Sequence, residues 1–146
     1  MELQYYNPST LPARYAIAWC RFPLDQSGRP GKKLRPTLVR AISRDTESKR
    51  SALVVSYGTK KLKLGYRDKV DLVIQNAAQI ERLGLTMATR FDLDLLLRVP
   101  WAVEFFAPPP HAEDIVTGSL NDEQIERFKK KLRHREEMAQ LGRVIT

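Results

Sequence analysis

The sequence has few of the residues that covalent or metal-based cross-links need. Among its 146 residues, Cys20 is the only cysteine, and His111 and His134 are the only histidines. No intrachain disulfide can therefore form, and a structural zinc site built on cysteines is excluded. Because Cys20 lies between Trp19 and Arg21 in an alternating apolar segment, we expect it to be a small buried thiol.

Other signals of specialised function are also missing. Residues 16–101 contain no histidine, and the sequence has no phosphate loop, dinucleotide fingerprint or histidine-rich metal spacing. We expect His111 and His134 to lie on the surface. No apolar run has the length of a membrane span, and residues 1–10 have neither the basic start nor the apolar core of a secretion signal. These features predict a cytoplasmic protein with no membrane partner.

Positive charge is in excess, and it is concentrated in one region. The formal net charge is +8 and the sequence pI is near 9.8. Residues 29–69 hold 13 lysines and arginines against three acids, a balance of +10, so the rest of the chain sums to −2. Solubility alone does not predict such a regional bias, whereas a phosphate-binding surface does. The expected partners are polyanions, with nucleic acid first and an acidic protein segment second.

Length and turn residues favour one domain that is mostly β. A chain of 146 residues that is 42% hydrophobic can build one ordinary core, so we expect a single domain over residues 1–146. Nine prolines and seven glycines separate short apolar runs, as in β-rich proteins. The runs predict about six short strands, at residues 16–22, 37–42, 52–57, 70–74, 86–91 and 95–101. This pattern indicates a small barrel or curled sheet over residues 15–106.

The predicted strands and the loops between them place several residues. Alternation in the first strand places residues 18, 20 and 22 on one face and residues 17, 19 and 21 on the other. We expect Trp19 and Trp101 in the core. Residues 24–33 form a polar loop that is a candidate binding loop, and residues 43–51 are expected at an exposed hairpin tip.

A helix is predicted near the end of the chain. Three consecutive prolines lie in a connection over residues 107–118, and a helix is expected over residues 119–141. Asn121 can cap this helix together with Gln124. The apolar side chains at helical spacing, which we expect to dock on the sheet, are Ile125, Phe128 and Leu132.

The order of several motifs resembles that of a known family. The motifs are Ala18-Trp-Cys-Arg-Phe-Pro23, a basic loop, Lys33-Leu-Arg-Pro-Thr-Leu-Val39, Leu53-Val-Val-Ser-Tyr-Gly-Thr59, Gly84-Leu-Thr-Met-Ala-Thr-Arg-Phe-Asp-Leu93, Val99-Pro-Trp101 and Gly118-Ser-Leu120. In this order they resemble the PemK/MazF family of toxin endoribonucleases, over roughly residues 15–141. The most specific elements are the Arg-Pro pair that opens the second strand and the threonine that ends the third.

The resemblance implies a fold and an activity. The fold is an SH3-like small barrel of the CcdB/MazF type with a C-terminal helix, in a homodimer. The activity is cleavage of single-stranded RNA at short sequences, with no metal or cofactor, under the control of an acidic antitoxin protein. The family motifs carry over onto Arg35 and Thr59 as catalytic residues. Tyr15-Ala16 stand where the family usually has Gly-Asp, and Lys60 and Lys61 stand where small polar residues are common.

These residue types fit the implied chemistry. RNA cleaves itself when its 2′-hydroxyl attacks the adjacent phosphate, so a protein needs only to align the attack, neutralise charge and assist proton transfers. The guanidinium of Arg35 matches two phosphate oxygens but is a poor general base. The Thr59 hydroxyl could orient a phosphate oxygen or the 2′-hydroxyl. The expected RNA-binding residues are Arg29, Lys32, Lys33, Lys60 and Lys61.

Several alternatives stay open. Arg35 could be a surface arginine at a strand edge, Thr59 an ordinary strand-end hydroxyl, and the lysines a solvated face. A module of the same fold could bind nucleic acid without cutting it. A toxin of the CcdB type could instead block a protein target, although that activity depends on a C-terminal Trp-Gly-Ile motif, and this sequence ends in Gly-Arg-Val-Ile-Thr.

Overall fold

A computed structural model describes residues 2–25, 27–63, 65 and 67–145, with side chains at all of these except 68 and 138–145. Within these residues, six strands form one curled antiparallel sheet that resembles half of a barrel. They are β1 Ala16–Cys20, β2 Arg35–Ser43, β3 Ala52–Thr59, β4 Leu72–Ile74, β5 Thr89–Pro100 and β6 Val116–Ser119, in the order β4-β5-β3-β2-β1-β6. The helices are α1 Arg67–Val70, α2 Ala77–Arg82 and α3 Asp122–Ile145. The chain is therefore mostly β with a long C-terminal helix.

Strand β1 is buried on both faces and separates two apolar clusters. Ala18 and Cys20 belong to one cluster, while Ile17 and Trp19 belong to the other, which also contains Phe128 of α3. The alternation predicted for the first strand is confirmed, although the strand ends at Cys20 rather than at residue 22. A central strand between two clusters explains why all five of its residues are buried.

The predicted core residues are buried. Cys20 is inaccessible to solvent, and burial raises the pKa of its thiol well above the ordinary value. Trp19 and Trp101 are 6% and 2% exposed, and their indole nitrogens donate to the hydroxyls of Thr117 and Thr10. Both tryptophans are therefore core residues with satisfied polar groups, as predicted.

Several other strand boundaries also differ from the predicted ones. One continuous strand, β5, replaces the two predicted at residues 86–91 and 95–101. Its polar residues Asp92 and Asp94 alternate with buried Phe91 and Leu93, so they do not interrupt it. Strand β6 lies inside the segment predicted as a connection, because Val-Thr-Gly-Ser has no apolar alternation and is specified by pairing with β1. Residues 70–74 form a strand only over Leu72–Ile74.

The C-terminal helix docks as its apolar spacing predicts. The Asn121 side chain accepts from the Gln124 amide and the Gln124 side chain from the Asn121 amide, which is the predicted capping box. Phe128 is fully buried, and Ile125 and Leu132 pack beside it. The helix starts at Asp122 rather than at residue 119 and continues to Ile145. Among the described helices, none combines the length and apolar character that a membrane span requires.

Candidate functional site

Arg35 and Thr59 lie at the same end of the sheet. Strands β2 and β3 are antiparallel, with Thr37 opposite Tyr57, so the first residue of β2 lies near the last residue of β3. Both side chains line one cavity of about 200 Å³. The structure therefore brings together the two residues that the motifs single out from positions 24 apart in the chain.

The lining of this cavity is positively charged and rich in hydroxyl groups. Lys33 and Lys60 join Arg35, and Thr86 and Thr89 join Thr59. Trp19 contributes part of an apolar wall. Among the described residues, no carboxylate or imidazole lines the cavity. Such a lining fits a phosphate group better than a cation.

The Arg35 guanidinium is held by an aromatic ring rather than by a carboxylate. Its central carbon lies 5.4 Å from the centroid of the Tyr57 ring, and that ring in turn packs on Phe22, with centroids 5.3 Å apart. Within the described part of the chain, no ion pair or hydrogen bond joins the Arg35 guanidinium to another residue. The stacking orients the group while its N–H donors stay available to a ligand.

Thr59 is 6% exposed, and its hydroxyl has a defined local partner. The hydroxyl oxygen accepts a hydrogen bond from the backbone amide of Lys61 at 3.2 Å. This contact uses the oxygen as an acceptor and leaves the hydroxyl proton for donation to a second group. Thr59 can therefore donate to an oxygen placed in the cavity.

A second groove of about 640 Å³ continues from the first and shares Lys33 and Arg35 with it. Arg29 and Lys32, from the candidate binding loop, line this groove. The loop folds back on the end of β1, because the Gly31 amide donates to the Arg21 carbonyl at 2.9 Å. A Cβ at position 31 would lie 2.4 Å from the carbonyl oxygen of Phe22, so only glycine fits. Residue 26 of the loop is outside the described residues.

One acid borders the second groove. Asp25 accepts hydrogen bonds from the side chain and the backbone of Ser27, and these lower the pKa of Asp25. Its charge opposes only part of the positive charge around it, because Arg29, Lys32, Lys33 and Arg35 line the same groove. The combined surface of the two cavities, which we call the basic groove, has a net positive charge.

Six of the seven predicted site residues line the basic groove, and Lys61 does not. Lys61 is exposed, and its carbonyl oxygen accepts from the side chain of Arg90 at 2.8 Å. The regional charge count also overstates the groove. Arg44, Lys49 and Arg50 lie at the hairpin tip, at the other end of β2, about 27 Å away.

Two further basic residues of this region have structural partners. The Arg40 guanidinium lies 4.8 Å from the centroid of the Phe128 ring, and Arg67 pairs with three aspartates. Neither belongs to the basic groove. The charge excess over residues 29–69 therefore does not lie in the basic groove alone.

Sequence reasoning missed the contribution of the start of β5 and of the residues just before it. Thr86, Met87 and Thr89 complete the cavity wall, and Met87 is 50% exposed. Their position depends on the pairing of β5 with β3, which no local pattern encodes. His111 is exposed, as predicted, but its ring also contacts Trp19, with centroids 5.1 Å apart, and its Nε2 lies 2.8 Å from the Gly84 carbonyl oxygen.

Comparisons with known proteins add no assignment. No protein-family model matches the chain, and no curated protein matches it significantly.

Proposed function

We propose that this protein is an endoribonuclease of the PemK/MazF type, with an SH3-like barrel, that cleaves single-stranded RNA without a metal ion. One observation carries the proposal. Arg35 and Thr59, the residues with the most specific family resemblance, line one cavity with Lys33 and Lys60 and with no described acid. The cleavage is internal attack by a 2′-hydroxyl on the neighbouring phosphate.

The groups in the cavity suit this reaction. Arg35 binds two non-bridging phosphate oxygens through its planar fork and stabilises the charge that develops on them. The Thr59 hydroxyl donates to a phosphate oxygen and helps to align the attack. Lys33 and Lys60 flank the phosphate, and Arg29 and Lys32 bind the adjoining RNA backbone.

Backbone geometry at Tyr15 supports the family proposal independently of the cavity. Tyr15 has a φ of +73°, in the left-handed region that glycine favours. This residue replaces the glycine that the family usually has before the first strand. Tyr15 therefore has the backbone conformation that would favour a glycine at this position.

The test uses a long single-stranded RNA and a chemically modified copy. We expect cleavage to continue in EDTA, with a 2′,3′-cyclic phosphate on the upstream product and a 5′-hydroxyl on the downstream product. An RNA with one 2′-deoxy sugar at the cut site should resist, because it lacks the nucleophile. Loss of cleavage in EDTA with recovery on adding magnesium would contradict the mechanism.

The proposal extends to partners. An acidic antitoxin segment, disordered when unbound, would be attracted to the basic groove and cover it. Exposed Leu24, which borders this groove at 55% exposure, offers an apolar contact for the same segment. In the proposed family setting the toxin is a cytoplasmic homodimer that arrests growth when produced alone. Co-expression with small acidic proteins encoded next to this gene, scored by growth and by co-purification, tests these points.

A non-catalytic nucleic-acid-binding module is the second candidate. It is favoured by the lining itself, because no described carboxylate or imidazole in the cavity can accept the proton of the 2′-hydroxyl. The two candidates differ in one measurement. A well-folded protein that binds the RNA and leaves it intact supports the binding module.

A further inference from the structure

Asp71 is the centre of a buried ion-pair cluster that no part of the proposed chemistry uses. Its side chain is inaccessible to solvent, and it pairs with Arg67 of α1, Arg90 of β5 and Arg135 of α3 at 2.9, 2.5 and 2.6 Å. The backbone amide of Leu93 also donates to it at 3.1 Å. A buried carboxylate with this many donors joins three separate elements in one network.

Arg90 connects this cluster to the candidate site. It is 3% exposed, and Arg90 lies opposite Thr59 in the pairing of β5 with β3. One side of its guanidinium binds Asp71, while its Nε donates to the Lys61 carbonyl at 2.8 Å. The Lys61 amide in turn donates to the Thr59 hydroxyl. A continuous chain of contacts therefore leads from Asp71 to Thr59.

Arg135 connects the same cluster to the C-terminal helix. Its Nε donates to Asp94 at 2.6 Å and another nitrogen binds Asp71, while a third contact reaches the Val70 carbonyl. Arg135 lies about two helical turns after Phe128, in the part of α3 that is far from the capping box. The remote part of the helix is thus fixed through the carboxylate that fixes Arg90.

We propose that Arg90 is a positioning residue for residues 59–61, and that Asp71 makes this positioning depend on Arg135 of α3. The inference rests on the proposed function, because the segment that Arg90 positions contains Thr59, which that function makes a catalytic residue. An arginine that binds a carboxylate with one edge and a carbonyl with another is fixed in orientation by both partners. Loss of Arg135 changes the donors around Asp71 and lets Arg90, and with it Lys61 and Thr59, take other positions.

The principal test replaces Arg135 by glutamine. Asp71 keeps Arg67 and Arg90 as partners in this variant, so the protein is expected to fold. Arg82→Gln is the matched control, because Arg82 of α2 also contacts α3, through Gln124, and the sheet, through Ser119, and no described contact joins it to the Asp71 cluster. Hydrogen exchange of the Lys61 amide reports on the segment without any need for activity.

We expect Arg135→Gln to raise the exchange rate of the Lys61 amide about two- to thirtyfold, and Arg82→Gln to leave it unchanged. The RNA cleavage kcat should fall over a similar range while KM changes less, because only Thr59 and Lys60 move and the groove residues of the loop and of β2 keep their positions. Arg135→Lys should restore part of both, since it keeps the charge but not the fork. Arg90→Lys should affect exchange at least as strongly, because one ammonium cannot reproduce both contacts of the guanidinium.

Two results would overturn the inference. One is unchanged exchange at Lys61 in Arg135→Gln, and the other is an equal rise in Arg135→Gln and Arg82→Gln, which would indicate general loosening of α3. If the unmodified protein cleaves no RNA, the proposed function fails. The exchange measurements then still decide whether the coupling between α3 and residues 59–61 exists.

Discussion

Gly58 faces Pro36 so closely that a Cβ on Gly58 would lie 2.3 Å from the Pro36 carbonyl oxygen and 3.0 Å from the Phe91 ring. Pro36 lies in β2 next to Arg35, and Gly58 lies in β3 next to Thr59. Because this contact sets the approach of β2 to β3 at the cavity, the spacing of the two proposed catalytic side chains depends on it.

Replacing Gly58 by alanine should therefore disturb both stability and the site. We expect a loss of about 3 kcal/mol in the free energy of unfolding, because backbone atoms must move apart to admit a methyl group. Urea unfolding measures this loss. Gly28→Ala is the control, since a Cβ there meets nothing within 4 Å and the cost is only that of its positive φ, about 1 kcal/mol. Equal losses in the two variants would contradict the close-approach argument.

The sequence predicted those parts of the fold that follow from local periodicity. Alternation in β1 and the spacing of Ile125, Phe128 and Leu132 each indicated the correct buried faces. Strand β6 could not be predicted, because it is short, lacks alternation and exists through its pairing with β1. In β5, Asp92 and Asp94 indicated a break between two strands. They fit into one strand because they form ion pairs with arginines that are distant in sequence, which the local pattern does not show.

The candidate site was predictable only where motifs marked single residues. Arg35 and Thr59 could be named from the resemblance, but their common cavity follows from strand register. The Asp71 cluster left no signal, since its arginines lie 4, 19 and 64 positions away in sequence. Charge counting found the basic region but could not separate the groove from the hairpin tip.

RNA affinity should depend steeply on salt, because phosphate contacts release counterions. We expect Lys32→Glu with Lys60→Glu to weaken binding and to reduce the slope of log Kd against log salt concentration by about 1.4, the contribution of two contacts to single-stranded nucleic acid. Fluorescence anisotropy over a range of salt concentrations measures both.

The matched control for that pair is Lys49→Glu with Arg50→Glu, which changes the net charge equally at the hairpin tip. It should leave the slope close to that of the unmodified protein. If the two pairs reduce the slope equally, overall charge rather than the basic groove determines binding.

Stability should fall in acid as Asp94 loses its charge. Hydrogen bonds from Arg135 and Arg67 lower the pKa of Asp94 below its ordinary value of 3.8. Since the pKa is lower in the folded state, the stabilisation is complete above the unfolded-state value and is lost as the pH falls through the folded-state value. Asp94→Asn should therefore destabilise the protein at neutral pH, and this penalty should shrink as the pH falls through the folded-state pKa of Asp94. A penalty that stays the same from neutral to acidic pH would contradict this role.

Cys20 should be unreactive in the folded protein. Its thiol is buried and its pKa is raised by burial, so the nucleophilic thiolate is scarce and inaccessible. Iodoacetamide at mildly alkaline pH should label it slowly in buffer and rapidly in urea, as mass spectrometry can follow. Rapid labelling in buffer would show that the β1 region opens readily.

Variants of Arg35 and Thr59 should separate the roles of the two side chains in the proposed cleavage. Arg35→Ala should reduce kcat about a hundredfold or more, because the charge developing on the phosphate loses its bidentate donor. Arg35→Lys should recover only part, since an ammonium keeps the charge but not the planar fork.

In the proposed reaction Thr59 acts through its hydroxyl, so Thr59→Ser should keep most of the activity while Thr59→Val should lose it. The valine variant has a second consequence, because the Lys61 amide loses the acceptor that it contacts at 3.2 Å. If that amide finds no other acceptor, we expect destabilisation of about 1–3 kcal/mol. Measuring unfolding beside kcat therefore distinguishes the two causes. A Thr59→Val protein that is as stable as the original but inactive assigns the hydroxyl to the reaction, whereas parallel losses in Thr59→Ser and Thr59→Val would assign Thr59 to packing alone.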